Sequence, residues 1–93
     1  MRAAQTDANQ SEIVKALRQC GVSVQSLHRV GEGVPDLLCG YHGLNKLIEV
    51  KDGDRPPSER KLNDKQKIWH DEWKGQRAVA NSVDEALKIM GVL

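Results

Sequence analysis

The chain opens on a polar stretch, residues 1 to 8, which predicts a loose N-terminus. From Asn9 the apolar residues Ile13, Val14, Leu17 and Cys20 recur at helical spacing, Asn9 or Ser11 can cap the start, and Gly21 stands where helices commonly stop. "VSVQSLHRV" is β-branched and roughly alternating, so it predicts a strand over Val22 to Val30, closed by the "GEG" turn. Pro35 cannot donate to a sheet ladder, so the second strand should begin at Asp36 as "DLLCG". That run turns through "GYHG" and returns as "NKLIEVK", which reads as an antiparallel hairpin.

After the polar loop "DGDRPPSERKLN", a second helix is predicted over Asn63 to Lys74, with Ile68 and Trp69 on its apolar side and Gly75 as its stop. "RAVAN" makes a short last strand, and "SVDEALKIMG" a last helix with Ser82 and Glu85 at capping-box spacing. The predicted order is αβββαβα, an α/β chain. No internal repeat or low-complexity segment interrupts it.

Composition then narrows the setting. At 93 residues the chain has the length of one domain. Domains this small bury only roughly two-thirds of their unfolded surface, so dimerisation would help. Cys20 and Cys39 lie in apolar segments without paired spacing, and no stretch resembles a signal peptide or a membrane span. These features predict an intracellular, soluble protein with buried, reduced thiols. The formal net charge is only +1, but Arg55, Arg60, Lys61, Lys65, Lys67, Lys74 and Arg77 crowd one segment. Acidic neighbours dilute them, so the segment reads either as a solvated face or as a phosphate track led by Arg55, Arg60, Lys61 and Lys65. With no Phe, one Tyr and two Trp, base stacking is not the expected mode of binding.

The chemistry sits in the hairpin. Side chains alternate across a strand, so Leu47, Glu49 and Lys51 share one face while Ile48 and Val50 take the other. If the hairpin pairs as predicted, Asp36 comes within reach of Glu49. Two carboxylates at close range repel unless a cation lies between them. Hard oxygen ligands select Mg²⁺ or Mn²⁺ and leave positions for water and a phosphate oxygen. A neighbouring lysine can orient or deprotonate that water or neutralise the developing charge, which is the chemistry of phosphodiester hydrolysis. An E-x-K alone is weak evidence, since Glu and Lys alternate on many solvated strands.

"VPDLLCG", "IEVKDG" and "KLNDKQKIWHDEW" together resemble the PD-(D/E)XK nuclease superfamily, and within it the virus-type replication-repair nuclease branch, VRR-Nuc, of the stand-alone phage and bacterial kind. The resemblance runs over residues 9 to 93. It implies a restriction-endonuclease-like core, a central mixed sheet flanked by helices. It implies that Asp36, Glu49 and the backbone carbonyl of Val50 ligate the metal, that Glu12 joins them directly or through water, that Lys51 is the catalytic lysine, and that Gln66 supports the lysine or the scissile phosphate. The activity implied is Mg²⁺- or Mn²⁺-dependent cleavage of DNA, and the stand-alone members resemble homodimeric resolvases of branched, four-way-junction DNA. The implied setting is the cytoplasm of a bacterium or a phage-infected cell. Asn63 departs from the Ser or Thr common in the family before the glutamine helix, but all three are helix caps.

Plainer readings stand beside these. Glu12 can be a solvated helix residue, and Gln66 an ordinary surface glutamine. His28, His42 and His70 lack metal-ligand spacing and read as structural or exposed, with His28 the one that could border Asp36. Trp69 and Trp73, four apart, should fill the core or a dimer contact. Gly31 and Gly33 read as a turn that lets the chain approach the substrate. Two rival functions remain: a catalytically silent DNA-binding module or subunit of a larger DNA-processing complex, and a scaffold in which Glu49 merely pairs with Lys51.

Overall fold

The computed structural model describes residues 2–93, with side chains from Ala8 onward. Helix α1 (Arg2–Gln19) begins seven residues before the expected start, so Asn9 and Ser11 stand inside it rather than capping it. Of the segment expected to be loose, Met1 and the side chains of residues 2–7 lie outside the described residues. The helix stops where the sequence placed its stop. Gly21, at φ +87°, lets the Gly21 N–H reach the Arg18 carbonyl and the Val22 N–H reach that of Leu17, and buried Val22 and Leu17 complete this Schellman motif.

Strand β1 (Ser23–Ser26) is half as long as its alternating pattern suggested. At Leu27 the N–H turns to the Asp36 carbonyl, and the Val30 N–H then closes a turn on Leu27. Strands β2 (Leu37–Tyr41) and β3 (Leu44–Val50) form the expected hairpin. Its two-residue loop, His42–Gly43, has φ of +50° and +79°, as a type I′ turn requires. A loop of that kind fixes the register, here Leu37 opposite Ile48 and Tyr41 opposite Leu44.

A short 3-10 turn (Pro57–Glu59) precedes α2 (Asp64–Glu72), which leads back to β4 (Arg77–Ala80), parallel to β3. The helix ends at Trp73, two residues before the expected glycine stop. Helix α3 (Val83–Ile89) is capped by Ser82, whose hydroxyl accepts the Glu85 N–H. The reciprocal half of that capping box goes elsewhere: the Glu85 carboxylate accepts from the Asn81 backbone and amide.

The element order is αβββαβα around a mixed four-stranded sheet in the order β1-β2-β3-β4. One face carries the core: Leu37, Cys39, Ile48 and Val50 pack with Ile13 and Leu17 of α1 and with Ala86, Leu87 and Met90 at α3. By strand alternation Glu49 lies on the other face, where Gln66 of α2 reaches it. That helix turns His70 inward and leaves Ile68 57% exposed, the reverse of the apolar face expected. Trp69 and Trp73 stack on each other, ring centroids 4.6 Å apart, and Trp73 remains 45% exposed, so neither fills the core.

Candidate active site

The hairpin register sets the two carboxylates together. One step beyond the Leu37–Ile48 pair, Asp36 comes opposite Glu49, and side chains directly opposite each other in an antiparallel pair are near neighbours. Pro35, fully buried and without an N–H, ends the ladder just before Asp36. The Asp36 carboxylate takes up the donor this leaves at the strand end: its Oδ2 accepts the Val50 N–H at 2.8 Å. In an extended strand a residue's N–H and C=O lie on the same edge, so the Val50 carbonyl faces Asp36 as well.

Glu49 is only 2% exposed. Its Oε2 accepts from the Gln66 amide at 3.1 Å and lies 3.9 Å from the Lys51 ammonium, while Lys51 Nζ donates to Gln66 Oε1 at 2.9 Å. Gln66 thus bridges the acid and the base. Its orientation is set by the start of α2: the Asn63 N–H donates to Gln66 Oε1 at 3.0 Å, and the Gln66 N–H donates to Asn63 Oδ1 at 2.9 Å, a reciprocal capping box. Because two donors converge on Oε1, the amide has one satisfactory orientation, with its NH₂ on Glu49. The Asn63 to Gln66 spacing was a readable sign of this box.

Gly33 lets α2 come this close. A Cβ on Gly33 would lie 2.3 Å from the Lys65 carbonyl oxygen and 2.9 Å from the Gln66 nitrogen, and its φ is +80°. The glycine turn therefore makes room for the first turn of α2 beside the site.

The other oxygen of Glu49, Oε1, is buried without a hydrogen-bond donor. Burial first, then the facing charge of Asp36, push the Glu49 carboxyl up to about 8, with Lys51 pulling the other way. Near neutral pH the lone chain keeps a proton on Glu49 that can be shared with Asp36. A divalent cation on the same oxygens would replace that proton, since metal ligands must be deprotonated. The orphaned Oε1, the facing carboxylate and the Val50 carbonyl form an all-oxygen donor set that fits Mg²⁺ or Mn²⁺.

The remaining expected residues lie elsewhere. Among the described residues no three carboxylate, imidazole or thiol side chains converge, so Glu12 does not complete the Asp36–Glu49 pair. It is exposed and lines a separate groove of about 340 Å³ with Asp52, Asp54, Glu85 and Arg60. Neighbouring Asn9 is a positioning residue the sequence did not reveal: its amide donates to the Lys51 carbonyl at 2.8 Å and ties α1 to the end of β3. Arg55 pairs with Asp52 at 3.8 Å and with Glu59 at 3.3 Å, Arg60 buries its Nε, and Lys61 and Lys65 are exposed. His28, its Nδ1 3.0 Å from Ser26 Oγ, lines the same groove as Asp36. Cys20 is exposed, contrary to expectation, whereas Cys39 is buried and its thiol pushed up to about 11 by desolvation. Among the described residues no helix is long and apolar enough to cross a membrane. No family model, no curated protein and no solved structure matches the chain.

Proposed function

We propose that the chain is a Mg²⁺- or Mn²⁺-dependent deoxyribonuclease of the PD-(D/E)XK kind, in which Asp36, Glu49 and the Val50 carbonyl hold the ion. The observation that carries this reading is the buried, donor-less Glu49 oxygen facing Asp36, with Lys51 and Gln66 on the opposite oxygen. A bare scaffold gains nothing from two facing carboxyls, one of them buried, whose charged forms repel each other. When bound, the ion would act as a Lewis acid on a phosphate oxygen and lower the pKa of a bound water.

The chain's own groups then have separable tasks. Gln66, locked by the capping box, holds Lys51 by its carbonyl oxygen and Glu49 by its amide, so neither can turn away. Lys51, largely covered at 17% side-chain exposure, presents an ammonium where negative charge develops on the phosphate or its attacking water. Glu49 on β3 and Asp36 at the entry to β2 would hold the ion with little reorganisation. The finer reading is a homodimeric resolvase of branched DNA, since a two-fold dimer presents two sites to the two related strands of a four-way junction. The exposed Ile68 and Trp73 on α2 offer apolar surface for such a dimer.

The test is cleavage of end-labelled four-way junction, flap, duplex and single strand in Mg²⁺ or Mn²⁺, with Glu49→Ala as control. Paired metal-dependent nicks in the junction, absent in the control, are expected. If no substrate is cut under either metal, the nuclease reading fails.

A further inference from the structure

Two cations of the basic segment expected to carry the substrate, Arg55 and Arg60, sit among carboxylates. Arg60 shares its groove with four carboxylates, those of Glu12, Asp52, Asp54 and Glu85, and Arg55 is paired to Asp52 and Glu59. A polyanion entering there would meet net negative charge.

On the other flank of α1 the situation is reversed. A groove of about 990 Å³ runs between α1 and the β1–β2 connection, and Asp36 itself lines it. Its other polar lining includes Lys15 and Arg18 of α1, with Ser26 and His28 across from them. Lys15 and Arg18 are three apart, so they stand on one side of the helix. Among the described residues neither enters an ion pair, and Asp36 is the one carboxylate in the lining. Arg18 spends one donor on the Val24 carbonyl at 3.0 Å, and a guanidinium carries five. The His28 ring is held at the groove by Ser26.

We propose that this groove is the track of the DNA strand into the site, with Lys15 and Arg18 contacting its phosphates and His28 and Ser26 forming the opposite bank. The assignment rests on the nuclease reading above for its substrate, but the binding it describes needs no metal. The groove meets the site at Asp36, the one site residue in its lining, so a strand following α1 would reach the carboxylate pair from that end. The groove floor includes Val14 and no exposed aromatic side chain, so the strand is held by its backbone rather than by stacked bases.

The experiment is fluorescence anisotropy of a fluorescein-labelled single-stranded oligodeoxynucleotide with the whole chain, in EDTA, over a range of KCl concentrations. Lys15→Ala is expected to lower the slope of log affinity against log salt by about 0.7, and Lys15→Ala with Arg18→Ala by about 1.4, with a loss of affinity of about tenfold or more at low salt for the double variant. The single variant, at an exposed helix position, guards against the double variant loosening β1 through Val24. Lys61→Ala with Lys65→Ala is expected to change affinity by less than about twofold. The proposal is overturned if the wild-type chain does not bind the oligonucleotide, if the α1 variants bind as wild type, or if the Lys61 and Lys65 pair weakens binding as much. Binding that follows the predicted pattern in a chain that neither takes up Mn²⁺ nor cuts DNA would sink the nuclease reading and leave the groove standing.

Discussion

Replacing Glu49 by Gln should stabilise the metal-free protein while removing its response to metal. The carboxyl is raised to about 8 from an ordinary value of 4.5, so its charged form is disfavoured in the folded state. Below pH 4.5 both folded and unfolded chains are protonated at this residue and nothing is lost. Between 4.5 and about 8 the unfolded chain releases the proton and the folded chain keeps it, so this residue's contribution to stability falls as pH rises, by at most about 1.4 kcal/mol per pH unit. Above about 8 the full penalty is present. A glutamine of nearly the same volume carries no charge, can still accept from the Gln66 amide, and can donate its own NH₂ toward Asp36 in place of the orphaned Oε1. Removing that penalty is worth at most about 1.4 kcal/mol for each pH unit between 4.5 and about 8, and each kcal/mol is roughly 4–8 °C in Tm for a domain of this size. Thermal and urea unfolding in EDTA at pH 5 and pH 8 would measure it. His70, whose pKa burial lowers, gives both proteins an opposite slope in which stability is lost as pH falls, so only the difference between them reports on Glu49. The variant should match wild type near pH 5, exceed it at pH 8, and show no rise in Tm with Mn²⁺ where wild type does. A variant less stable than wild type at pH 8, or one still stabilised by Mn²⁺, would mean that Glu49 is neither a buried charge penalty nor a metal ligand.

Three other outcomes are expected. Gly33→Ala should cost about 2–4 kcal/mol in urea unfolding, because its Cβ would overlap the Lys65 carbonyl at a positive φ; a loss under about 1 kcal/mol would mean that α2 can retreat freely. Lys51→Ala should abolish metal-dependent cleavage while leaving Mn²⁺ and oligonucleotide binding largely intact, and cleavage at the native rate would remove the lysine from the mechanism. With an aromatic disulfide reagent the native chain should titrate Cys20 promptly and Cys39 only on unfolding, and equal rates for both thiols would contradict the burial of Cys39.

The hairpin and the carboxylate pair were legible because His42–Gly43 permits one tight turn, and that turn fixes which residue stands opposite which. The rotation of α2 was not. Ile68 and Trp69 look like its inward face, but the capping box aims Gln66 at Glu49, and the residue one turn on from Gln66 is His70, which is therefore the one buried. The length of β1 was not legible either: alternation continues to Val30, yet the Val30 N–H closes a turn on the Leu27 carbonyl and the chain leaves the sheet. Residues 2 to 8 have no apolar stripe to announce a helix, and α1 includes them all the same. The placement of Glu12 away from the carboxylate pair depends on how α1 docks across β3, which spacing along one helix does not encode.

The most direct test of the account is calorimetric titration of Mn²⁺ into the metal-free chain at pH 7, in two buffers of different ionisation enthalpy, for wild type and Asp36→Asn. Saturable binding is expected, with an apparent heat that changes with the buffer because Glu49 gives up its proton as the ion arrives, and that binding should be lost in the variant. Absence of binding heat in both buffers, or binding that survives Asp36→Asn unchanged, would contradict the claim that these two carboxylates hold a metal.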